Sequence, residues 1–389
     1  MKTDPRLADW MPELTAWRRD FHAHPELGYA EHRTAALVAE RLASFGLEVS
    51  TGIDGTGVVG TLRHGAGNHA IALRADMDAL PMSEDNDFAH RSTNPGRMHA
   101  CGHDGHTTTL LAAARLLAAK RNFSGTVHFV FQPAEEGGAG AARMIEDGLF
   151  ERFPCDAMFG AHNDPTLPLG TISASPGTVN AAADELSITI TGRGGHAARP
   201  HASIDPVLVG AQIILGLQTI VSRRVNPLDS CVVSICQFHA GSAHNVIPEQ
   251  AILNGTVRTM TASVQNQVAT EIPALIRHLA AAHNATADII YDRGYPPVVN
   301  DADAASRLRD AASTLLGAKQ VIADLPASMG AEDFSYYAHH RPACFFRIGQ
   351  NDGTHGTFGL HHPRYDFNDR AIPIGASLFA ALVEQELPA

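Results

Sequence analysis

The sequence predicts an α/β protein: a mostly parallel sheet domain that carries an inserted ferredoxin-like α+β domain. Three observations point there. Up to about residue 182, short β-rich runs alternate with helical periodicities, the pattern of a parallel sheet with crossover helices. Residues 183–293 then read β-α-β-β-α-β, the ferredoxin-like order. After about 295 the chain returns to α/β character. One discontinuous domain is therefore expected over 1–182 and 294–389, with 183–293 as the insert. A chain of 389 residues, 44% of them hydrophobic, can fill two cores.

The elements follow in order. Residues 31–46, "EHRTAALVAERLASFG", carry helical spacing and stop at a glycine. "GVVGTLRH" and "AIALRADMDALP" read as strands, the second ending near Asp76 and Asp78. A helix over 103–121, a strand over 126–132, a helix over 139–147 and the strand "AMFGAH" at 157–162 come next. In the insert, "DELSITITG" leads to a helix over 204–224. The strands "SCVVSICQF" and "QAILNGTVRTM", a helix over 263–283 and the strand "TADIIYD" complete it. Helices over 302–316 and 369–386 flank the strand "CFFRIG". Linkers are expected around 176–183 and 293–299. The sequence contains neither an internal repeat nor a low-complexity segment.

Composition narrows the function. The formal charge is −12, with both signs interspersed and no basic stripe, so nucleic acid is not an expected partner. No apolar run is expected to span a bilayer, and "MKTDPRLADWMPEL" lacks the apolar region of a signal peptide. Five scattered cysteines, an odd number, read as a reduced set, and a cytoplasmic location is expected. The 22 histidines, several beside Gly or Pro, ask for an explanation in chemistry.

"MHACGHDGHTTTLLAAARLLAA", residues 98–119, crowds Cys101, His103, Asp104 and His106 against an apolar helix. Asp104 is expected to cap that helix, since a carboxylate accepts from first-turn N–H groups. Three readings of Cys101 and His103 stay open here: metal ligands, a cysteine nucleophile with a histidine base, or ordinary loop residues. Glu135 and Glu136 follow a strand directly, where open α/β sheets bind ligands. Adjacent carboxylates point different ways, so one can hold a metal while the other faces a water. His162 ends a strand and His361 lies in "GLHHPRYDF". Taken together, Cys101, His103, Glu136, His162 and His361 form a mixed S/N/O set for more than one ion, suited to zinc, manganese, cobalt or nickel. Dispersed ligands that include a carboxylate favour a catalytic over a structural site. Asp78 could orient a metal-bound histidine from behind.

"RADMDALP", "MHACGHDGH", "FQPAEEGGAGA", "GRGGHAARPH", "HNVIPE", "GTVR", "GAEDFSYY" and "LHHPRYDFND" occur in that order. This series resembles the bacterial hippurate hydrolase and plant indole-acetyl-amino-acid hydrolase branch of the metal-dependent aminoacylase/carboxypeptidase family. The resemblance runs from "RRDFHAHPELGY" at 18–29 to the C-terminal helix. It implies an amidohydrolase for small N-acyl amino acids, with two divalent ions per subunit. Cys101, His103, Glu136, His162 and His361 would be the ligands, Cys101 bridging, and Glu135 the general base. The insert would be a dimerisation or lid domain, making a homodimer or a homotetramer. His196 would reach the partner subunit's site and stabilise an oxyanion, while Asn245 and Arg258 would hold the substrate carbonyl and carboxylate. Where related subfamilies place a histidine ligand before the Asp78 position, this chain has Asp76, and His103 is the expected replacement. Asp164, in "NDPTLP", replaces an apolar residue and puts an aromatic acyl pocket in question.

Overall fold

The computed structural model describes residues 3–389. They form two compact units. One holds the chain up to Val179 together with Val299–Pro326 and Asp333–Ala389. The other holds Asn180–Val298 and Ala327–Glu332.

The first unit is built on an eight-stranded sheet among the described residues. Its strands run, edge to edge, Glu48–Ile53, Gly57–His64, Gly125–Gln132, Ala70–Asp76, Ala157–Pro168, Ala343–Asn351, Ile172–Ser173 and Val321–Ile322. The four central strands are parallel to one another. The flanks are not: Glu48–Ile53 and Gly57–His64 form an antiparallel hairpin that pairs antiparallel with Gly125–Gln132, and Ile172–Ser173 pairs antiparallel with Ala343–Asn351. The sheet is thus mixed, which corrects the mostly parallel expectation. At the far edge, Val321–Ile322 pairs parallel with Ile172–Ser173. Strands Glu48–Ile53 and Gly57–His64 are joined by the three-residue turn Asp54–Thr56, with Asp54 and Gly55 at positive φ, and so short a hairpin forces antiparallel pairing.

The central strands read as nearly continuous apolar runs because both faces are covered. Helix His103–Lys120 is buried almost all round and packs against Ile372–Glu386 and Pro5–Ala23. The helix expected over 302–316 is Ala302–Leu316, capped by Asp301, whose carboxylate accepts from the Ala304 N–H. The one expected over 369–386 is a 3₁₀ turn, Asp369–Ala371, followed by Ile372–Glu386. Pro5–Ala23 was not legible as a helix. Its fully buried apolar positions, Leu7, Leu14 and Phe21, recur only every seven residues, and Pro12 lies inside it.

The second unit carries a four-stranded antiparallel sheet in the order Cys231–Ala240, Gln250–Thr259, Ala182–Thr191, Thr286–Arg293. Helices Pro206–Arg223 and Ala262–Ala282 supply its other layer. Val209, Ile213, Leu217 and Ile220, one face of the first helix, pack with Val264, Val268, Ile272 and Ile276 of the second in a core of their own. By length and composition Pro206–Arg223 could cross a membrane, with a mean hydropathy of 1.3, which corrects the expectation that no run could. Leu208 and Leu215 are exposed on it, and its opposite face belongs to that core.

Candidate metal centre

Parallel strands end on one edge, and that edge collects the chemistry. Asp76 ends its strand, Gln132 ends the next one, and His162 lies halfway along Ala157–Pro168. Helix His103–Lys120 begins beside them. Gly102 precedes it with φ of 96°, a left-handed conformation that glycine adopts freely. A Cβ at 102 would also run into the Asn163 side-chain oxygen and the Tyr365 hydroxyl. This turn sets Cys101 and His103 on either side of a close-packed glycine.

Cys101 Sγ lies 3.4 Å from His162 Nε2. Candidate ligand atoms of Cys101, His103 and His162 lie within 4.8 Å of one another. So do those of Cys101, Glu136 and His361, and those of His103, Glu135 and Glu136. The five residues expected as ligands therefore fall into overlapping triads in one place, with Glu135 beside them. Two of the three imidazoles are oriented from behind. His103 Nδ1 faces Asp78 Oδ1 at 3.2 Å, and His162 Nδ1 donates to the Asn163 carbonyl at 2.7 Å. Both rings are left with Nε2 turned to the cluster. Asp78 also accepts the Glu136 N–H at 2.9 Å, so one carboxylate positions two candidate ligands. His361 Nε2 lies 3.2 Å from Glu136 Oε1, and its φ of 61° is a left-handed conformation that costs a non-glycine residue about 1 kcal/mol.

The donor set fits a divalent cation. His103 Nε2 is a buried atom that makes no hydrogen bond among the described residues, and the buried Glu136 Oε1 has the His361 Nε2 contact but no well-aligned hydrogen bond. A buried polar atom left unsatisfied is costly, and a cation would satisfy both. The electrostatics agree. Burial, then Glu136, Glu135 and Asp76, push the Cys101 thiol well above its ordinary range. Such a thiol is a poor nucleophile by itself, which weighs against a metal-free cysteine hydrolase, while a bound cation would deprotonate it. Burial pushes the His103 imidazolium down, but Asp76 and Asp78 outweigh it and raise the ring to about 10. The surplus negative charge that holds this proton equally favours a metal. Burial, then His106 and Arg347, hold His162 well below its usual value, in the neutral form a ligand needs.

Asp76, His103 and His106 form another close trio. Asp76 and His106 in it are already engaged, and His103 stands 3.7 Å from Asp76 without a hydrogen bond to either. Asp76 Oδ1 meets His106 Nδ1 at 2.6 Å, and Asp76 Oδ2 accepts from Arg74 at 2.7 Å.

The general-base candidate Glu135 sits in the loop after Gly125–Gln132, 6% exposed. Ala134 before it has φ of 50° and gives its N–H to Glu31 at 2.9 Å. Its carboxylate lies 4.0 Å from His103 Nε2. Asp104 does not cap its helix, contrary to expectation. Its carboxylate instead lies 2.8 Å from His22 Nδ1 and 3.8 Å from Arg18, both fully buried, while Glu84 takes the other side of His22 at 3.1 Å. A buried cation pair outcompetes first-turn N–H groups. Asp164 closes a local turn by accepting from the Thr166 N–H and hydroxyl.

His196, Asn245 and Arg258 lie in the other unit. His196 stands exposed on the two-residue strand Gly195–His196, which pairs with Val246–Ile247, and the Asn245 carbonyl accepts from the Ala197 N–H at 3.1 Å. Arg258 lies on Gln250–Thr259, half-buried, with its guanidinium on the Thr256 hydroxyl. His196 and Asn245 are thus neighbours on one ribbon, and Arg258 is on a different sheet.

Four supporting residues were given no role from the sequence: Glu31, and Arg74, Asn163 and Asp333, which lie within the stretches "RADMDALP", "NDPTLP" and "GAEDFSYY". Arg74 and Asp333 meet across 259 positions, and with Gln132 they tie the strand end to the start of helix Gly140–Glu146.

The chain matches the model of peptidase family M20/M25/M40 over residues 72–385. It is 39% identical to a hippurate hydrolase of Campylobacter jejuni over 383 residues, covering 98% of each chain. It is 40% identical to an N-acetyl-L-cysteine deacetylase of Bacillus subtilis, over 94% of this chain and 86% of the relative. Its fold matches a dinuclear metal-binding M20 peptidase of Bacillus subtilis with a TM-score of 0.84 and 34% identity, covering 98% and 99% of the two chains. With a metal-ready cluster at the strand ends and relatives aligned from end to end, the chain belongs to peptidase family M20/M25/M40.

Proposed function

We propose that this protein hydrolyses the amide bond of N-acyl amino acids, releasing a carboxylic acid and a free amino acid. The observation that carries the proposal is the buried His103 Nε2, which makes no hydrogen bond among the described residues and faces Cys101, Glu135, Glu136 and His162. Cys101, His103, Glu136, His162 and His361 would hold two divalent ions. When bound, such ions supply Lewis acidity that lowers the pKa of water and polarises a carbonyl. Glu135 takes the proton of the attacking water and delivers it to the leaving amine. Asp78 keeps His103 and Glu136 in place. His196, from a second copy of the chain, donates a hydrogen bond to the developing oxyanion. Asn245 positions the scissile carbonyl. Arg258 reads the amino acid carboxylate with its planar fork, which matches two oxygens at once.

Residues 183–293 act, on this reading, as a lid and dimerisation domain that brings His196 to the substrate. The acyl group remains to be assigned by assay. The relatives' names span a hippurate and an N-acetyl substrate. If Asp164 lines the acyl pocket, as the family resemblance implies, its carboxylate would disfavour an aromatic acyl group and favour a small one.

The deciding assay is free amino acid release by the metal-reconstituted protein from N-benzoyl, N-acetyl and indole-acetyl amino acids and from dipeptides. Release from an N-acyl substrate that disappears in Glu135→Gln supports the reading. Release from dipeptides alone replaces it with a dipeptidase. Metal uptake with no release from any of them rejects both.

A further inference from the structure

His106 lies one turn beyond His103 on the same helix, and its ring is spent in three directions. Nδ1 meets Asp76 Oδ1 at 2.6 Å, at the end of strand Ala70–Asp76. With Nδ1 donating to Asp76, Nε2 of the neutral ring accepts from the Asn163 N–H at 3.0 Å, whereas Nε2–H of the doubly protonated ring donates to the Asn163 side-chain oxygen at 2.6 Å. The ring face packs edge-on to His162, with centroids 4.6 Å apart. Asp76 in turn is held by Arg74 and stands 3.7 Å from His103 Nε2. Asn163 continues to the Tyr365 hydroxyl at 2.7 Å. Every member of this chain of contacts is buried.

We propose that His106 is a positioning residue for the metal centre: it sets the distance between helix His103–Lys120 and the middle of strand Ala157–Pro168, which carries His162. The proposal rests on His103 and His162 being ligands. His106 itself is not one, because both nitrogens are engaged. Its effect on His162 is double. It grips the backbone at Asn163, whose carbonyl fixes the His162 Nδ1, and it blocks rotation of the His162 ring by contact. On the other side, Asp76 links it to Arg74 and so to Asp333 and Gln132. A cavity of about 10 Å³ adjoins the ring, lined by Arg74, His106, Thr109, Asn163 and Phe367 among others. Loss of the imidazole would enlarge it and free the strand around His162 to shift.

A merely structural histidine would affect melting but not metal affinity. His128 supplies that control: it is buried in the same sheet, hydrogen-bonded to Thr61 at 2.9 Å, and remote from the ligand set. The experiment titrates the metal-free full chain with Co²⁺. It reads the dissociation constants of both ions and the visible d–d spectrum, with no substrate present. His106→Ala is expected to weaken one Co²⁺ by about 10- to 100-fold and to alter the spectrum. His128→Ala is expected to lower Tm while leaving both constants within twofold. If His106→Ala does not fold, His106→Gln, which keeps a donor toward Asp76 but loses the ring, is read instead and is expected to show a smaller loss of the same sign. Constants and spectrum matching wild type in a folded His106 variant overturn the proposal. His162→Ala separates the two levels. If it binds Co²⁺ like wild type, the ligand assignment itself fails; if it loses an ion while His106 variants do not, only the positioning role fails.

Discussion

The two sets of candidate site residues are built differently. In the first unit, Cys101, His103 and His162 are buried, and the two histidines are each braced by a second residue. In the second unit, His196 and Asn245 stand exposed on a ribbon of two-residue strands, anchored by Glu249, which accepts the Gly194 N–H. Preorganised donors act where charge develops, and the first unit holds its candidate ligands in that way within one copy of the chain. On the proposed reading, the exposed His196 gains a fixed place only in the assembled site, so the two sets differ in when they are ordered and both serve the chemistry.

The contrast can be broken most directly at Glu135. Glu135→Gln should lower kcat by about 10²- to 10⁴-fold while leaving metal content unchanged by elemental analysis. A loss of metal with the mutation would mean that Glu135 is a ligand and not a base. His196→Ala should come next, lowering kcat by about 10²- to 10³-fold with metal affinity intact. If KM rises instead with kcat preserved, the ribbon binds ground-state substrate and the proposed oxyanion role is wrong. Arg258→Lys should raise KM roughly tenfold, since an ammonium cannot make the bidentate contact, and leave kcat nearly constant in steady-state assays.

The smallest effect lies behind the rigid set. Burial pushes the His22 imidazolium down, but Asp104 and then Glu84 overcome this and raise it to about 9. A folded pKa above the unfolded value near 6.5 means a stabilisation fully present below pH 6.5 and lost as pH rises through 9. Tm of the metal-free protein should therefore fall between those values, and His22→Gln should flatten that fall. An unchanged slope in the variant would place the titration elsewhere.

How much of this was legible in the sequence depended on the range of the interaction. Ala302–Leu316 and the β-α-β-β-α-β order of the second unit follow from local periodicity, and local periodicity is what a chain displays. Strand direction at the sheet flanks does not show in the strands themselves, although the Asp54–Gly55 turn carried the signal for one hairpin. The clustering of Cys101, His103, Glu136, His162 and His361 was foreseen through motif resemblance, not spacing. Residue 361 meets Glu136 only because the last segment folds back over the strand ends. Asp104 was misjudged for the same reason. Its partners, His22 and Arg18, lie more than 80 positions away, and nothing near Asp104 announces them.

Gly102 bears on any attempt to re-engineer the protein. The residues on either side of it, Cys101 and His103, are the obvious places to exchange sulfur for oxygen or nitrogen and so alter metal preference. The position between them offers no such freedom, since a single added carbon would collide with Asn163 and Tyr365 and the backbone is turned the wrong way for any other amino acid. A mutant library spanning 101–103 should therefore hold position 102 constant and spend its diversity on the two neighbours.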